Sequence, residues 1–412
     1  MRICYLSEEY PPETRRGGIG TYTREIACAV AQLGHEVNVI TKTHGDPYDT
    51  EAEGVLVHRI PRPTTGLDDA SHRVADLLAR SLAVFTKVQE LNSRHPFDII
   101  EAPEIGSEAL HLAFRRDFTL VTRFHTPTFL VRELNPHQAE TVYPYTSPFP
   151  ETADVLERLQ ALGSAGVTSI SRSMARVISQ RWDIPIDRIT VVPNPFNPDA
   201  VIKEDSAIYE SMLKDTDYVL YFGRLEERKG VHVLAQALPS IFQRFPTIKA
   251  AFVGEDMGYG RSTMKDWVLT QNRGYEDRLI FVGHTEHESL FPIIRNAKLV
   301  ILPSLWEALG YTCLESMALG KVVVATRGSG FEEIIDHGQS GFLVRPNDPA
   351  DIASTVQEVL PRDLSPIERK SKARFLDFDS RRIAQRMVAC YEELIGKSHA
   401  EVCRKGGSSP RS

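Results

Sequence analysis

Short unbroken apolar runs alternate along this chain with stretches in which apolar residues recur every three or four positions. Ile3, Cys4, Tyr5 and Leu6 make the first run and predict a buried strand over 3–6. Ile19, Tyr22, Ile26, Ala29 and Leu33 then recur at helical spacing. They predict a helix over 18–33, ended by Gly34, and 36–41 reads as the next strand. The same reasoning predicts strands at 55–59, 98–101, 119–124, 166–170 and 189–192. Helices are predicted at 70–92 and 152–162, and Ser171 caps a further short one. Pro193, Pro195 and Pro198 lie close together and cannot continue a helix or a central strand, so they read as a connector. Beyond them the alternation restarts, with strands predicted at 218–222, 249–253, 279–282, 299–302, 322–325 and 342–344. A last helix is predicted at 379–395, where Ile383, Met387, Cys390, Tyr391 and Leu394 share one face. The polar residues 398–412 read as a disordered tail. Strands continuous in Val, Ile and Leu, separated by helices, imply parallel sheets covered on both faces. The predicted fold is therefore α/β, with two doubly wound Rossmann-like domains and a cleft between them.

Composition narrows the class. The chain has 412 residues, enough for two or three domains, and at 42% hydrophobic and 25% charged it is not a disordered sequence. A formal charge of −7 gives no case for nucleic acid as a partner. The five cysteines, at 4, 28, 313, 390 and 403, contain no CxxC pair, which fits a reduced, cytoplasmic setting. The N-terminus turns acidic too soon for a signal peptide, and no apolar run approaches the ~18 residues of a membrane span. Membrane contact is expected to be peripheral at most.

Three places could carry chemistry. Gly17-Gly18-Ile19-Gly20 opens the first helix, where glycines admit a ligand to the backbone and the helix terminus favours anions. It fits a dinucleotide site poorly, because about ten residues separate it from the first strand and Thr41-Lys42 stands where a ribose-binding acid belongs. A glycine helix start without a ligand is the other reading. Phe222-Gly223-Arg224-Leu225 ends a strand, and Lys229-Gly230 precedes a helix. Both cations then lie at the carboxyl edge of a parallel sheet, where Arg224 can grip two phosphate oxygens and Lys229 adds a point charge. The alternative is a pair of solvated loop cations, as Arg228 is taken to be. Finally, Glu307 lies in the loop after the 299–302 strand, and Glu315 lies inside the helix starting near Gly310. The free N–H groups near Leu309, Gly310 and Tyr311 can hold an anion, and Glu315 can accept hydrogen bonds from a ribose diol. A surface glutamate and a helix-start glutamate are the plain alternatives. Asp215-Thr216-Asp217 and Asp377-Phe378-Asp379 spell Asp-x-Asp, but one precedes its strand and the other reads as a helix cap, so no metal site is expected.

Taken in order, these segments resemble the retaining glycosyltransferases of the two-domain GT-B type, in the group numbered family 4. Glu307 and Glu315 match that group's Glu-x7-Glu signature, and Phe222-Gly223-Arg224 with Lys229-Gly230 matches its phosphate loop. Pro11-Pro12 with the glycine run, His125-Thr126-Pro127 and Gly341-Phe342-Leu343-Val344 also match, over about residues 1–395. The resemblance implies that Arg224 and Lys229 neutralise a donor diphosphate and that Glu315 holds the ribose. It implies that Glu307 contacts the donor sugar, Gly18 packs on the diphosphate and sugar, and His125 lies near the reacting sugar. The segment Val282-Gly283-His284-Thr285, with His284, would border the nucleobase. A polar turn residue is the alternative reading of His125. Two departures stand out: Ala308-Leu309-Gly310 replaces the usual Gly-Phe-Gly, and Pro195 follows Asn194 where glycine is frequent.

The implied activity is metal-independent transfer of a hexosyl group from a nucleotide diphosphate sugar, UDP rather than GDP, with the anomeric configuration kept. The acceptor is a saccharide, lipid-linked or small-molecule hydroxyl in glycan, polysaccharide or glycoconjugate synthesis, and no cofactor is needed. The domains implied are 1–195 on the acceptor side, 196–376 for the donor, and a helix at 377–397 crossing back to the first domain. Acceptor contacts are expected near 8–16, 101–104 and 125–133. A sugar-nucleotide epimerase on the same fold and a non-catalytic sugar-nucleotide-binding protein are the competing readings.

Overall fold

The computed structural model describes residues 1–14, 17–63, 70–135, 149–201 and 204–406. In its described parts the chain forms two compact units. The first is drawn from Met1–Val131, Tyr145–Pro195 and Ser380–Ser412, the second from Arg132–Pro144 and Phe196–Asp379.

The first unit is built on eight strands: β1 (Arg2–Leu6), β2 (Glu36–Thr43), β3 (Tyr48–Ala52), β4 (Val55–Pro61), β5 (Ile99–Pro103), β6 (Leu120–Phe124), β7 (Gly166–Ser169) and β8 (Ile189–Val191). They lie in the order β3-β4-β2-β1-β5-β6-β7-β8. All neighbours are parallel except β3 and β4. β1, β5, β6 and β7 are buried throughout, as expected of strands covered on both faces. The exception, β3, was not predicted. Its sequence Tyr-Asp-Thr-Glu-Ala is exposed along its whole length and carries no apolar period. It forms because Glu53 (φ 54°) and Gly54 (φ 78°) make a tight two-residue turn that lays β3 antiparallel along β4.

The second unit has β9 (Tyr218–Phe222), β10 (Lys249–Val253), β11 (Leu279–Gly283), β12 (Leu299–Leu302), β13 (Val323–Thr326) and β14 (Phe342–Val344). Their order is β11-β10-β9-β12-β13-β14, all parallel. That is a Rossmann order, in which the chain leaves its first strand in both directions and opens a crevice at the carboxyl ends of the two central strands. β9 and β12 are those strands.

The last helix spans Ser380–Gly406 and belongs to the first unit. Ile383, Ala384, Met387 and Tyr391 on it are fully buried. The helix continues past 395, so 398–406 are helical and not the disordered tail expected there, while 407–412 lie outside the described residues. Polarity alone does not stop a helix, and 398–405 contain no Gly or Pro. Among the described residues no helix is long and apolar enough to cross a membrane.

Candidate active site

In the second unit two loops at the carboxyl edge of the sheet are pressed together. β9 ends at Phe222, and Gly223 through Gly230 lead into the helix Val231–Arg244. β12 ends at Leu302, and Pro303 through Gly310 lead into the helix Tyr311–Ala318. Gly230 (φ 68°) lies where a Cβ would come within 1.9 Å of the Pro303 carbonyl oxygen. Gly310 (φ 100°) lies where one would come within 2.4 Å of the Phe331 ring. Only glycine allows both the backbone turn and the close approach. The Leu305 N–H donates to the Arg228 carbonyl at 2.9 Å, closing the seam.

This packing brings Lys229 and Glu307, 78 residues apart, into contact at 2.5 Å (Nζ to Oε2). Arg228 Nη1 approaches the other oxygen of Glu307 at 3.6 Å, and Ser304 Oγ donates to Oε2 at 3.4 Å. Burial pushes the Glu307 carboxyl up, but the charges of Lys229, Arg228 and Arg224 outweigh it and hold the group down at about 2. Burial likewise pulls the Lys229 ammonium below its ordinary value, against the pull of Glu307. Arg224 is half-exposed and pairs with Glu226 at 3.1 Å. Glu315 is buried on the helix behind the loop, with Oε1 3.1 Å from His287 Nε2. The two glutamates thus have separate partners. Leu309 is buried, and Gly310 precedes the first helical residue. His284 is exposed, 3.6 Å from Glu286.

Gly18 and His125 lie in the first unit. Gly18 is the first residue of the helix Gly18–Gln32. The Gly17 N–H donates to Glu9 Oε2 at 2.9 Å, and Cβ atoms at Gly17 or Gly20 would collide with Glu9. A Cβ at Gly18 would meet nothing within 4 Å. His125 is buried with its ring edge-on to Tyr22 at 4.9 Å, in a small crevice also lined by Glu101 and Pro103. Burial, then the Arg123 charge, holds its imidazole well below the ordinary range, so the ring is neutral. Asn194, with Oδ1 accepting from Arg123 at 3.0 Å, is committed within this unit. Of the segment expected to meet an acceptor, Arg15 and Arg16 lie outside the described residues.

Beneath the His125 turn lie two fully buried carboxyls. Both oxygens of Glu104 accept from the His125 N–H at 2.9 Å, and Glu157 accepts from the Thr128 hydroxyl at 2.5 Å and its N–H at 3.0 Å. Burial raises Glu104 to about 7 and, with Glu104 nearby, Glu157 to about 8. Their folded-state values exceed the ordinary 4.5, so the folded chain holds more protons between about 4.5 and about 8. Stability should therefore fall as pH rises through that window. Thermal melts of Glu157→Gln should show a flatter decline than wild type, and an unchanged slope would contradict this assignment.

Residues 204–374 match the family model described as Glycosyl transferases group 1, and residues 16–200 match Glycosyltransferase Family 4. The chain belongs to the family 4 glycosyltransferases. Among curated relatives, the glycogen synthase of Mycobacterium tuberculosis is 27% identical over 417 aligned residues, covering 95% of this chain and 94% of the relative. A D-inositol 3-phosphate glycosyltransferase of Pseudarthrobacter chlorophenolicus is 26% identical over 85% of this chain and 83% of its own. Solved GT-B structures share the fold. They include a sucrose-phosphate synthase from Thermosynechococcus elongatus (TM-score 0.75, 20% identity, 96% of this chain and 99% of that one). HepE of Anabaena in complex with UDP-glucose also matches (TM-score 0.68, 20% identity, 95% and 100%).

In this glycosyltransferase, three residues matter that the motifs did not single out. Arg228, taken in sequence for a solvated cation, is buried between Glu226 at 2.8 Å and Glu307. In the run Glu-Glu-Arg-Lys every residue reads as surface, and only the fold shows which are enclosed. Glu226 bridges Arg224 and Arg228. His287 backs Glu315 from the start of the neighbouring helix His287–Asn296. The Asp-x-Asp sequences are otherwise engaged, Asp217 by Lys298 at 2.9 Å and Asp377 by Arg374 at 2.5 Å.

Proposed function

We propose that this glycosyltransferase moves a hexosyl group from a nucleotide diphosphate sugar, UDP rather than GDP, to an acceptor hydroxyl with retention at the anomeric carbon. The observation that carries this is the paired loop of the second unit. It sets a half-exposed guanidinium, a largely enclosed ammonium and a helix N-terminus beside two buried carboxylates with different partners. A diphosphate can be held by Arg224, Lys229 and the amides around Leu309 and Gly310. Glu315, steadied by His287, accepts from the ribose hydroxyls. Glu307 accepts from the donor sugar. As the sugar–phosphate bond breaks, charge grows on the leaving phosphate, and the same cations stabilise it in place of a metal ion. The leaving phosphate takes the acceptor proton on the same face of the sugar, which keeps the configuration. In the first unit the backbone of Gly18 is unobstructed and the ring of His125 is neutral, and the acceptor is assigned to that unit's own segments near 8–16, 101–104 and 125–133, in glycan or polysaccharide synthesis.

Two measurements test this reading. Glu315→Ala should weaken nucleotide binding roughly 10- to 150-fold, the scale of ~1.5–3 kcal/mol for hydrogen bonds to a charged group. Undiminished affinity for UDP and GDP would remove Glu315 from the ribose. Transfer should persist in EDTA, since cations and amides serve the diphosphate. Activity abolished by EDTA and restored by Mn²⁺ or Mg²⁺ would overturn the metal-free mechanism.

A further inference from the structure

We propose that Arg228 is a positioning residue that keeps Glu307 paired while the donor diphosphate draws Lys229 away. The inference rests on the donor site described above and adds a group that the recognised motifs do not contain. Five side chains form one alternating series: Arg224 to Glu226 at 3.1 Å, Glu226 to Arg228 at 2.8 Å, Arg228 to Glu307 at 3.6 Å, and Glu307 to Lys229 at 2.5 Å. The Glu226, Arg228 and Glu307 side chains are each at most 10% exposed. Lys229 is engaged by Glu307. It cannot turn fully to a phosphate without leaving that carboxylate.

A buried carboxylate that loses its cation is left desolvated and unpaired, or takes up a proton. Arg228 prevents both. Its planar fork spans two carboxylates, which a lysine point charge cannot do. It is held from behind by Glu226, and its own N–H donates to Asn135 Oδ1 at 3.1 Å. Glu307 therefore stays ionised as Lys229 moves. The other groups facing Glu307 are Arg224, the Ser304 hydroxyl, and Tyr221 and Cys313, both raised chiefly by burial, with the Glu307 charge acting in the same direction. None of these is a second buried cation.

The test is calorimetric titration of the full chain with UDP-glucose and, in parallel, GDP-glucose, at pH 7 in buffers of different ionisation heat. Neither probe titrates near that pH, so a buffer-dependent heat reports protons taken up by the protein. Wild type should bind one probe with no proton uptake. Arg228→Met should bind it at least tenfold more weakly and take up a proton at Glu307. Should Arg228→Met fail to fold, the double variant Glu226→Leu with Arg228→Met removes both partners together and should show the same uptake. Arg228→Lys should weaken binding without proton uptake. Wild-type affinity in the double variant, or weaker binding with no buffer-dependent heat in either Met variant, would overturn the proposal. Failure of wild type to bind either probe would instead remove the donor-site reading, and this inference with it.

Discussion

Lys229→Ala should lower turnover at saturating donor by roughly 30- to 900-fold, corresponding to ~2–4 kcal/mol, the scale of losing one donor to developing charge. Lys229 is largely enclosed, its side chain 16% exposed, whereas Arg224 is half-exposed and already screened by solvent and Glu226. The substitution also strips Glu307 of its shortest partner, at 2.5 Å, with both side chains at most 16% exposed. Removing one member of such a pair costs about 3–5 kcal/mol in stability when nothing compensates. Arg228 remains beside Glu307, so the loss should fall at or below that range. Steady-state rates and thermal melts on one preparation separate the two effects. A turnover loss under threefold would exclude Lys229 from stabilising the leaving group.

A chain ending at Asp377 should lose the folded first unit altogether. The deletion removes the helix Ser380–Gly406, with Ile383, Met387 and Tyr391 fully buried on it. Truncating single large core side chains costs about 2–5 kcal/mol each, and losing three approaches the 5–15 kcal/mol that holds a typical domain together. The damage is also polar. The Tyr391 hydroxyl donates to Glu101 Oε2 at 2.8 Å, and Tyr22 donates to Oε1 at 2.5 Å. Burial raises Glu101 above the ordinary carboxyl range, opposed by the Arg123 charge and these two hydroxyls. Without Tyr391, half of a buried carboxyl is left without its donor. Near-ultraviolet circular dichroism and melting should report the loss, and a cooperative melt like that of wild type would contradict it.

The fold was legible where burial leaves a simple trace. β9 and β12 are unbroken apolar runs because helices cover both faces, and a two-sided environment admits little else. β3 left no trace, since an exposed edge strand is held by backbone pairing and a turn, neither of which needs apolar side chains. The far end of the last helix was obscured because a polar sequence suits a solvated helix as well as a coil. In the site, Glu307 and Lys229 come from separate motifs, and the fold brings them together. Arg228 was misread because charge in sequence suggests solvent, while the approach of Pro303 to Gly230 closes the loop over it. His287 opens a helix of its own, 28 residues from Glu315, with no spacing rule to join them.

Glycosyl transfer by this chain is tested most directly by nucleoside diphosphate release from a panel of UDP- and GDP-hexoses, with and without an acceptor extract. Wild type, Lys229→Ala and Glu315→Ala would be compared. Wild type should release UDP from at least one donor, faster when acceptor is added, and both variants should be severely impaired. Folded wild-type protein that releases neither diphosphate above the enzyme-free rate, with or without acceptor, would contradict it.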